Sequence, residues 1–370
     1  MIPISRFWPR NIALTKLSST SILKLLLLFV ILTGILFRTW HLFFAPLDLP
    51  YHFGGLYAEF SQQIFESGYR LPESIPFYSE GGIPFAYPPL PFYVTAFLTG
   101  TLALPEVEVI NVLPPFVGAL STLTFYWLAR ALGFARRAAI GALTFFALLP
   151  AAYDEVLFGD GLSEAFGLLA IGGFAAALAW LERRKTTLSA ASAGMLGGLC
   201  VLASPGSAYG AAFTAILFSL HALSCTEPKG RIRLVVLLGI AALTMIAVTA
   251  PYFVAVATNH SLGIFATTVG DHYADSPLSI LRSFKNTLLR FSASEGGDFA
   301  RFWDAILLAS AVYALLERRD WLLPAWMVAL LLIPREGTWL ASVPGSLMAG
   351  QFMAHEVLPR IKHALDSILF

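Results

Sequence analysis

Ten stretches of this chain are apolar for about the length a helix needs to cross a bilayer, and that repetition leaves little room for a soluble fold. They run near 22–44, 109–131, 138–153, 162–181, 188–204, 207–225, 232–256, 303–316, 321–334 and 339–357. The apolar residues come in runs rather than in alternation, which points to helices and away from a β-barrel. Composition agrees: of 370 residues 57% are hydrophobic and 13% charged, with a mean hydropathy of +0.72. A soluble domain carries about a quarter of its residues charged, so most of this surface must face something other than water. The expected fold is all-α, a polytopic transmembrane helical bundle of about ten spans forming a single domain over residues 1–370.

The net charge of +1 says nothing about nucleic acid, but no basic stripe with interleaved aromatics appears, and no nucleic-acid partner is expected. The two cysteines, Cys200 and Cys225, suggest neither a disulfide framework nor a metal-ligand spacing. Arg6, Arg10, Lys16 and Lys24 precede the apolar run Leu25 to Phe37 as they would in a signal peptide. No small-x-small cleavage site follows in 38–45, so the segment reads as an uncleaved first span, with Arg38 snorkelling near the outer interface.

The segment 90–104 decides the topology. It follows Pro88-Pro89, contains Pro91 and ends at Pro105, and its 15 residues reach roughly 22 Å, short of a 30 Å core. If it does not cross, the basic clusters Arg136-Arg137, Arg183 to Lys185, Lys229/Arg231/Arg233, Arg318-Arg319 and Arg360/Lys362 all fall on the cytoplasmic side. If it crosses, every one of them moves outside, against the positive-inside rule. The non-crossing reading makes 46–108 a long outer loop carrying interfacial helices and rich in acids: Asp48, Glu59, Glu66, Glu73, Glu80, Glu106 and Glu108 against Arg70 alone. It also places the loop 257–302 outside. There Leu278, Leu281, Phe284, Leu288 and Phe291 recur at helical spacing with Arg282, Lys285 and Arg290 between them, an amphipathic helix suited to the interface.

Chemically capable residues gather on that outer face. Asp48 follows the first apolar run in Pro46-Leu47-Asp48-Leu49-Pro50-Tyr51-His52, where a partly desolvated carboxylate can act as a base or bind a cation; ending a helix is its plainer role. Nine prolines between 46 and 105 imply a shaped loop, and a long ordered loop is usually functional. A second acidic group, Asp154-Glu155 and then Asp160 and Glu164, follows the third run, and the cost of acids in hydrocarbon sets it at the rim or in a polar cavity. An ordinary solvated turn is the alternative. Arg335-Glu336 interrupts an apolar stretch; the guanidinium can hold a phosphate bidentately or pair with its own neighbour. His272 either orients a substrate or is a plain loop histidine.

Together, Asp48 after the first span, an outer loop ending in Tyr87-Pro88-Pro89-Leu90, and Asp154-Glu155 after the third span resemble the GT-C glycosyltransferases, which use polyprenyl-phosphate-linked sugars. Protein O-mannosyltransferases, the aminoarabinose transferases acting on lipid A and the oligosaccharyltransferase catalytic subunit are of this kind. The pieces Leu202 to Gly206, Pro334-Arg335 and Val343 to Gly350 look like an uncharacterised prokaryotic branch of the same superfamily. Two features depart from the pattern: Ser204 stands where a His commonly precedes the Pro, and relatives often carry more after the tenth span.

The resemblance implies an integral plasma-membrane enzyme whose active face is extracytoplasmic. Asp48 would take the acceptor proton, Arg335 would offset the leaving phosphate, and Tyr51, His52, Glu80, Tyr87 and His272 would contact substrate. Asp154 and Glu155, with Asp48, would ligate a divalent cation, Mg or Mn, if one is used. The implied partners are a membrane lipid, the polyprenyl-phosphate sugar and an acceptor that is a glycan, lipid or protein. A lipid or sugar transporter or flippase, and a catalytically inactive subunit of the same fold, are the competing readings; against the transporter, the mid-span stretches are almost free of charge.

Overall fold

The structure is a computed structural model that describes residues 19–44, 53–77, 80–157, 161–261, 263–265, 298–317, 320–333 and 336–369. Its elements in chain order are α1 (Ser19–Thr39), α2 (Gly54–Glu66), β1 (Ser74–Ile75), β2 (Ile83–Pro84), α3 (Leu90–Ala96), α4 (Glu106–Ala131), α5 (Arg136–Leu148), α6 (Leu162–Arg184) and α7 (Thr187–Ala203). There follow α8 (Pro205–Cys225), α9 (Pro228–His260), α10 (Asp298–Leu316), α11 (Leu322–Leu331), α12 (Gly337–Phe352) and α13 (Leu358–Leu369). Apart from the antiparallel hairpin of the two-residue strands β1 and β2, the architecture of the described residues is all-α.

Local chemistry explains the sharp helix starts. The Thr186 and Ser204 side chains each accept from the backbone N–H three residues on, and their own backbone N–H groups donate to Ser189 Oγ and Ser207 Oγ, forming capping boxes for α7 and α8. Pro205 and Pro228 occupy first-turn positions, where the missing N–H costs nothing. Lys185 closes α6 in the left-handed conformation, with φ of +50°.

Each of the ten apolar stretches becomes a helix close to its expected bounds, but not all of them have the length to span. Among the described residues five segments are both long and apolar enough to cross a membrane: Ser21–Phe43, Glu106–Ala131, Leu162–Arg184, Pro205–Cys225 and Pro228–His260. Arg136–Leu148 with Pro150–Val156, bent by 90°, makes a sixth when taken as one span. Thr187–Ala203, Ala305–Leu316 and Leu322–Leu331 are apolar but shorter, 10–17 helical residues covering only roughly 15–26 Å, so length alone marks five or six spans of the expected ten. The stretch 90–104 is a seven-residue helix running into one π-turn, Phe97–Thr101, far too short to cross.

The core lies where α4, α5, α6, α7 and α12 meet. In α12 every residue from Trp339 to Gly350 is buried, and its small side chains allow close approach. A Cβ on Gly350 would sit 2.2 Å from the backbone nitrogen of Ala142 in α5, so only glycine fits there. Helices α1 and α9 lie at the periphery: Leu25, Phe29 and Leu32 of α1 and Ile232, Leu243 and Ile246 of α9 are more than half exposed, as side chains facing lipid would be.

Arg38 does not snorkel. It is completely buried, donating from Nη1 to Gly34 O at 3.2 Å and from Nη2 to Phe146 O at 3.2 Å and Ala152 O at 3.1 Å. The last carbonyls of α5 and of the turn after it have no helical N–H to receive, and the guanidinium supplies those donors. Its carbon lies 4.8 Å from the Phe146 ring centroid and 5.8 Å from that of Tyr153.

Candidate active site

The outer-loop segments have a core of their own. Tyr57, Phe60 and Ile64 of α2, Ile75 of β1, and Phe85, Phe92 and Ala96 close on Ile110 of α4 and Leu162 of α6. Phe60 stacks on Phe92 and meets Phe85 edge-on, both at 4.8 Å between centroids. Helix α9 props the same loop: the Tyr252 hydroxyl donates to Ala86 O at 2.6 Å, and His260 Nε2 lies 2.6 Å from Glu73 O. Tyr87, the residue after Ala86, is therefore held from two sides.

That clamp delivers the Tyr87 phenol to a polar cluster formed by three helices. Burial, then the charge of Glu164 in the first turn of α6, then Tyr57 and Glu336 push its pKa well above the ordinary tyrosine value. The phenol is therefore a committed hydrogen-bond donor at any working pH. Glu336, at the start of α12, accepts from Trp339 Nε1 at 2.9 Å. Gly206 lies against it: a Cβ there would fall 2.6 Å from the Glu336 side chain, so the second residue of α8 must be glycine for this carboxylate to keep its place. Ser204 Oγ and Ser207 Oγ, 3.0 Å apart, form the buried floor between α6 and α8, with Ser207 donating to Cys200 O at 2.6 Å.

The second acidic element adjoins the first. After α5 the chain turns through 90° into two short 3-10 turns, Pro150–Ala152 and Asp154–Val156, across the end of the bundle. Arg38 fixes this turn through Ala152 O. Asp154 reaches the surface, yet burial against the apolar bundle end and then the charge of Glu155 push its pKa up to about 6. The turn packs on Gly161, where a Cβ would fall 2.0 Å from Glu155 O, and Glu164 follows three residues later. The carboxylates of Asp154 and Glu155 repel each other there, and a divalent cation is the kind of group that would relieve them.

Of the residues expected from sequence, Tyr87, Asp154 and Glu155 are brought to this end of the bundle, while Glu80 stays exposed on the tip of the β1–β2 hairpin. Asp48, Tyr51, His52, His272 and Arg335 lie outside the described residues, as does the amphipathic stretch 276–292. Sequence reasoning did not single out Glu164, Glu336 or Tyr57 as partners of Tyr87. Glu164 carried a signal, an acid in the first turn of an apolar helix; the others come together only through packing.

No family model matches this chain, and no curated protein does. Solved structures do. The archaeal oligosaccharyltransferase AglB from Archaeoglobus fulgidus, in complex with an inhibitory peptide and a dolichol-phosphate, superposes with a TM-score of 0.61 at 16% identity, over 94% of this chain and 52% of that one. The Archaeoglobus fulgidus oligosaccharyltransferase in complex with Zn and sulfate gives 0.59 at 19% identity, over 93% and 51%. ArnT from Cupriavidus metallidurans bound to undecaprenyl phosphate gives 0.56 at 17% identity, over 91% and 60%. The chain thus spans between half and three-fifths of the length of these proteins. At such identities the likeness concerns the backbone alone: this chain shares the transmembrane helical fold of these proteins.

Proposed function

We propose that this chain, read as a single domain over residues 1–370, moves a sugar from a polyprenyl-phosphate donor to an acceptor hydroxyl on the extracytoplasmic face of the plasma membrane. The observation that carries the reading is the convergence at one bundle end of the outer-loop Tyr87, the carboxylates Glu164 and Glu336, and the Arg38-anchored Asp154-Glu155 turn, within the GT-C fold. All ten apolar helices cross in this reading, the shorter ones tucked between longer neighbours, with the basic clusters cytoplasmic. The lipid carriers in the AglB and ArnT complexes, dolichol-phosphate and undecaprenyl phosphate, give the donor its class.

The reaction asks four things of the protein. Asp48 takes the proton from the acceptor hydroxyl as its oxygen attacks the anomeric carbon. The bond from that carbon to the phosphate oxygen breaks, and Arg335 compensates the charge left on the lipid phosphate. Tyr87 donates to a sugar or phosphate oxygen, while Tyr51, His52, Glu80 and His272 make further polar contacts to substrate. Asp154 and Glu155 would hold a divalent cation, Mg or Mn, if one is used, and its charge would assist phosphate departure. A transporter or flippase would place ionisable groups near the midplane, whereas the acids here sit at the bundle end. An inactive subunit would keep the fold without turnover.

The test is release of lipid phosphate from a panel of polyprenyl-phosphate sugars by purified wild type and Asp48→Asn, with and without Mg or Mn. Donor-dependent release that Asp48→Asn abolishes is the expected outcome, and dependence on the cation assigns the acidic turn its role. Tight donor binding without release from any donor would sink the transferase reading in favour of an inactive subunit or a lipid carrier.

A further inference from the structure

At the other end of α6, about 20 residues and roughly 30 Å along the helix from Leu162, lies a second cluster that the proposed reaction does not use. Glu182 of α6 faces His221 and Cys225 of α8, which are four residues apart and so share one helix face. His221 Nε2 is 3.7 Å from Cys225 Sγ, and His221 Nδ1 is 3.7 Å from a Glu182 oxygen. One donor atom from each of the three residues lies within 4.8 Å of the other two. A cavity of about 170 Å³ opens beside them, lined by Glu182, Arg183, His221, Asp320 and Gln351 among others. One buried polar atom in that lining, Gln351 Oε1, has no hydrogen-bond partner, and His221 Nδ1 has the Glu182 oxygen at 3.7 Å.

We infer that Glu182, His221 and Cys225 form a binding site for a borderline-soft divalent metal of the zinc class, on the face opposite the transferase site. A tetrahedral ion with bonds of about 2.3 Å to sulfur and 2.0–2.1 Å to nitrogen holds the two atoms roughly 3.5 Å apart, close to the separation the side chains already have. The carboxylate reaches the same ion through its flexible stem, and the cavity supplies water for the open position. One thiolate, one imidazole and one carboxylate suit zinc or cobalt rather than magnesium, which demands oxygen ligands. Asp320, whose carboxylate accepts from Leu322 N at 3.0 Å, lines the same cavity. Reading the two cysteines against each other hides this site, because its partners are a histidine one turn away and an acid on another helix.

The test uses the full chain purified in detergent, stripped of metal and titrated with Co²⁺. The expected result is saturable binding of a single equivalent, with a thiolate-to-cobalt charge-transfer band that Zn²⁺ bleaches by displacement. Cys225→Ser loses the band while keeping the metal-free melting temperature; Cys200→Ser and Asp154→Asn keep it, which separates this site from the acidic turn at the far end. If Cys225→Ser does not fold, Glu182→Gln with unchanged melting and weakened Co²⁺ binding serves instead. Absence of the band in wild type at excess Co²⁺, or its persistence in Cys225→Ser, overturns the site, and neither outcome depends on sugar transfer.

Discussion

Arg38, Tyr87 and Gly206 show how much single residues carry in this bundle. Replacing Arg38 with Met keeps the bulk but leaves the Phe146 and Ala152 carbonyls without their donor. The expected cost is about 3 kcal/mol, seen as a lowered unfolding midpoint in detergent. Tyr87→Phe keeps the ring and removes only the hydroxyl held by its acidic surroundings. It should lower kcat/KM for the lipid-linked donor about tenfold, or ~1.4 kcal/mol, without moving the melting temperature. Gly206→Ala forces a methyl group into the Glu336 side chain and should cost about 1–3 kcal/mol, again read from thermal unfolding.

Among the elements, the turn carrying Asp154 has the clearest pH signature. Its pKa is raised from 3.8 to about 6, so the folded protein binds the proton more tightly than the unfolded chain does. Stability therefore falls as pH rises from about 4 to 6, and the penalty persists above that range. Asp154→Asn should flatten the slope in that window; an unchanged slope would mean that other groups produce it. The helices themselves were legible, because apolar runs announce them; the Thr186 and Ser204 caps that sharpen their starts emerge only from the structure. The loop's internal core was legible only as a density of prolines. Its Phe60–Phe85–Phe92 packing, and the support from Tyr252, depend on contacts between residues far apart in sequence, which no local pattern encodes.

At the scale of the whole molecule, the two ends of the bundle have different chemistry, and a thiol reagent can tell them apart. Cys225 is exposed at the end that carries Arg183 and Arg184, whereas Cys200 is completely buried. In sealed vesicles a membrane-impermeant maleimide should label Cys225 only from the cytoplasmic side; labelling from the outside would invert the proposed topology. The sequence placed the acids on one face through the positive-inside rule, but it did not give the meeting of Glu164, Glu336 and Tyr87. That meeting depends on how α6, α12 and the loop pack, and apolar runs are silent on which helices become neighbours.

The anchoring of Arg38 also sets an order of events during synthesis. Its acceptors on Phe146 and Ala152 lie 108 and 114 residues further along the chain, so the first helix is made long before its partners exist. At a translation rate of about 5–20 residues per second, the guanidinium goes without them for roughly 5–20 s. In hydrocarbon an unsatisfied arginine costs about 2.5–3.5 kcal/mol, and its place in the last turn of α1 lets it reach toward the headgroups meanwhile. The charge is thus surface-seeking in the nascent chain and interior in the finished one, and docking of α5 is the step that withdraws it from the lipid interface.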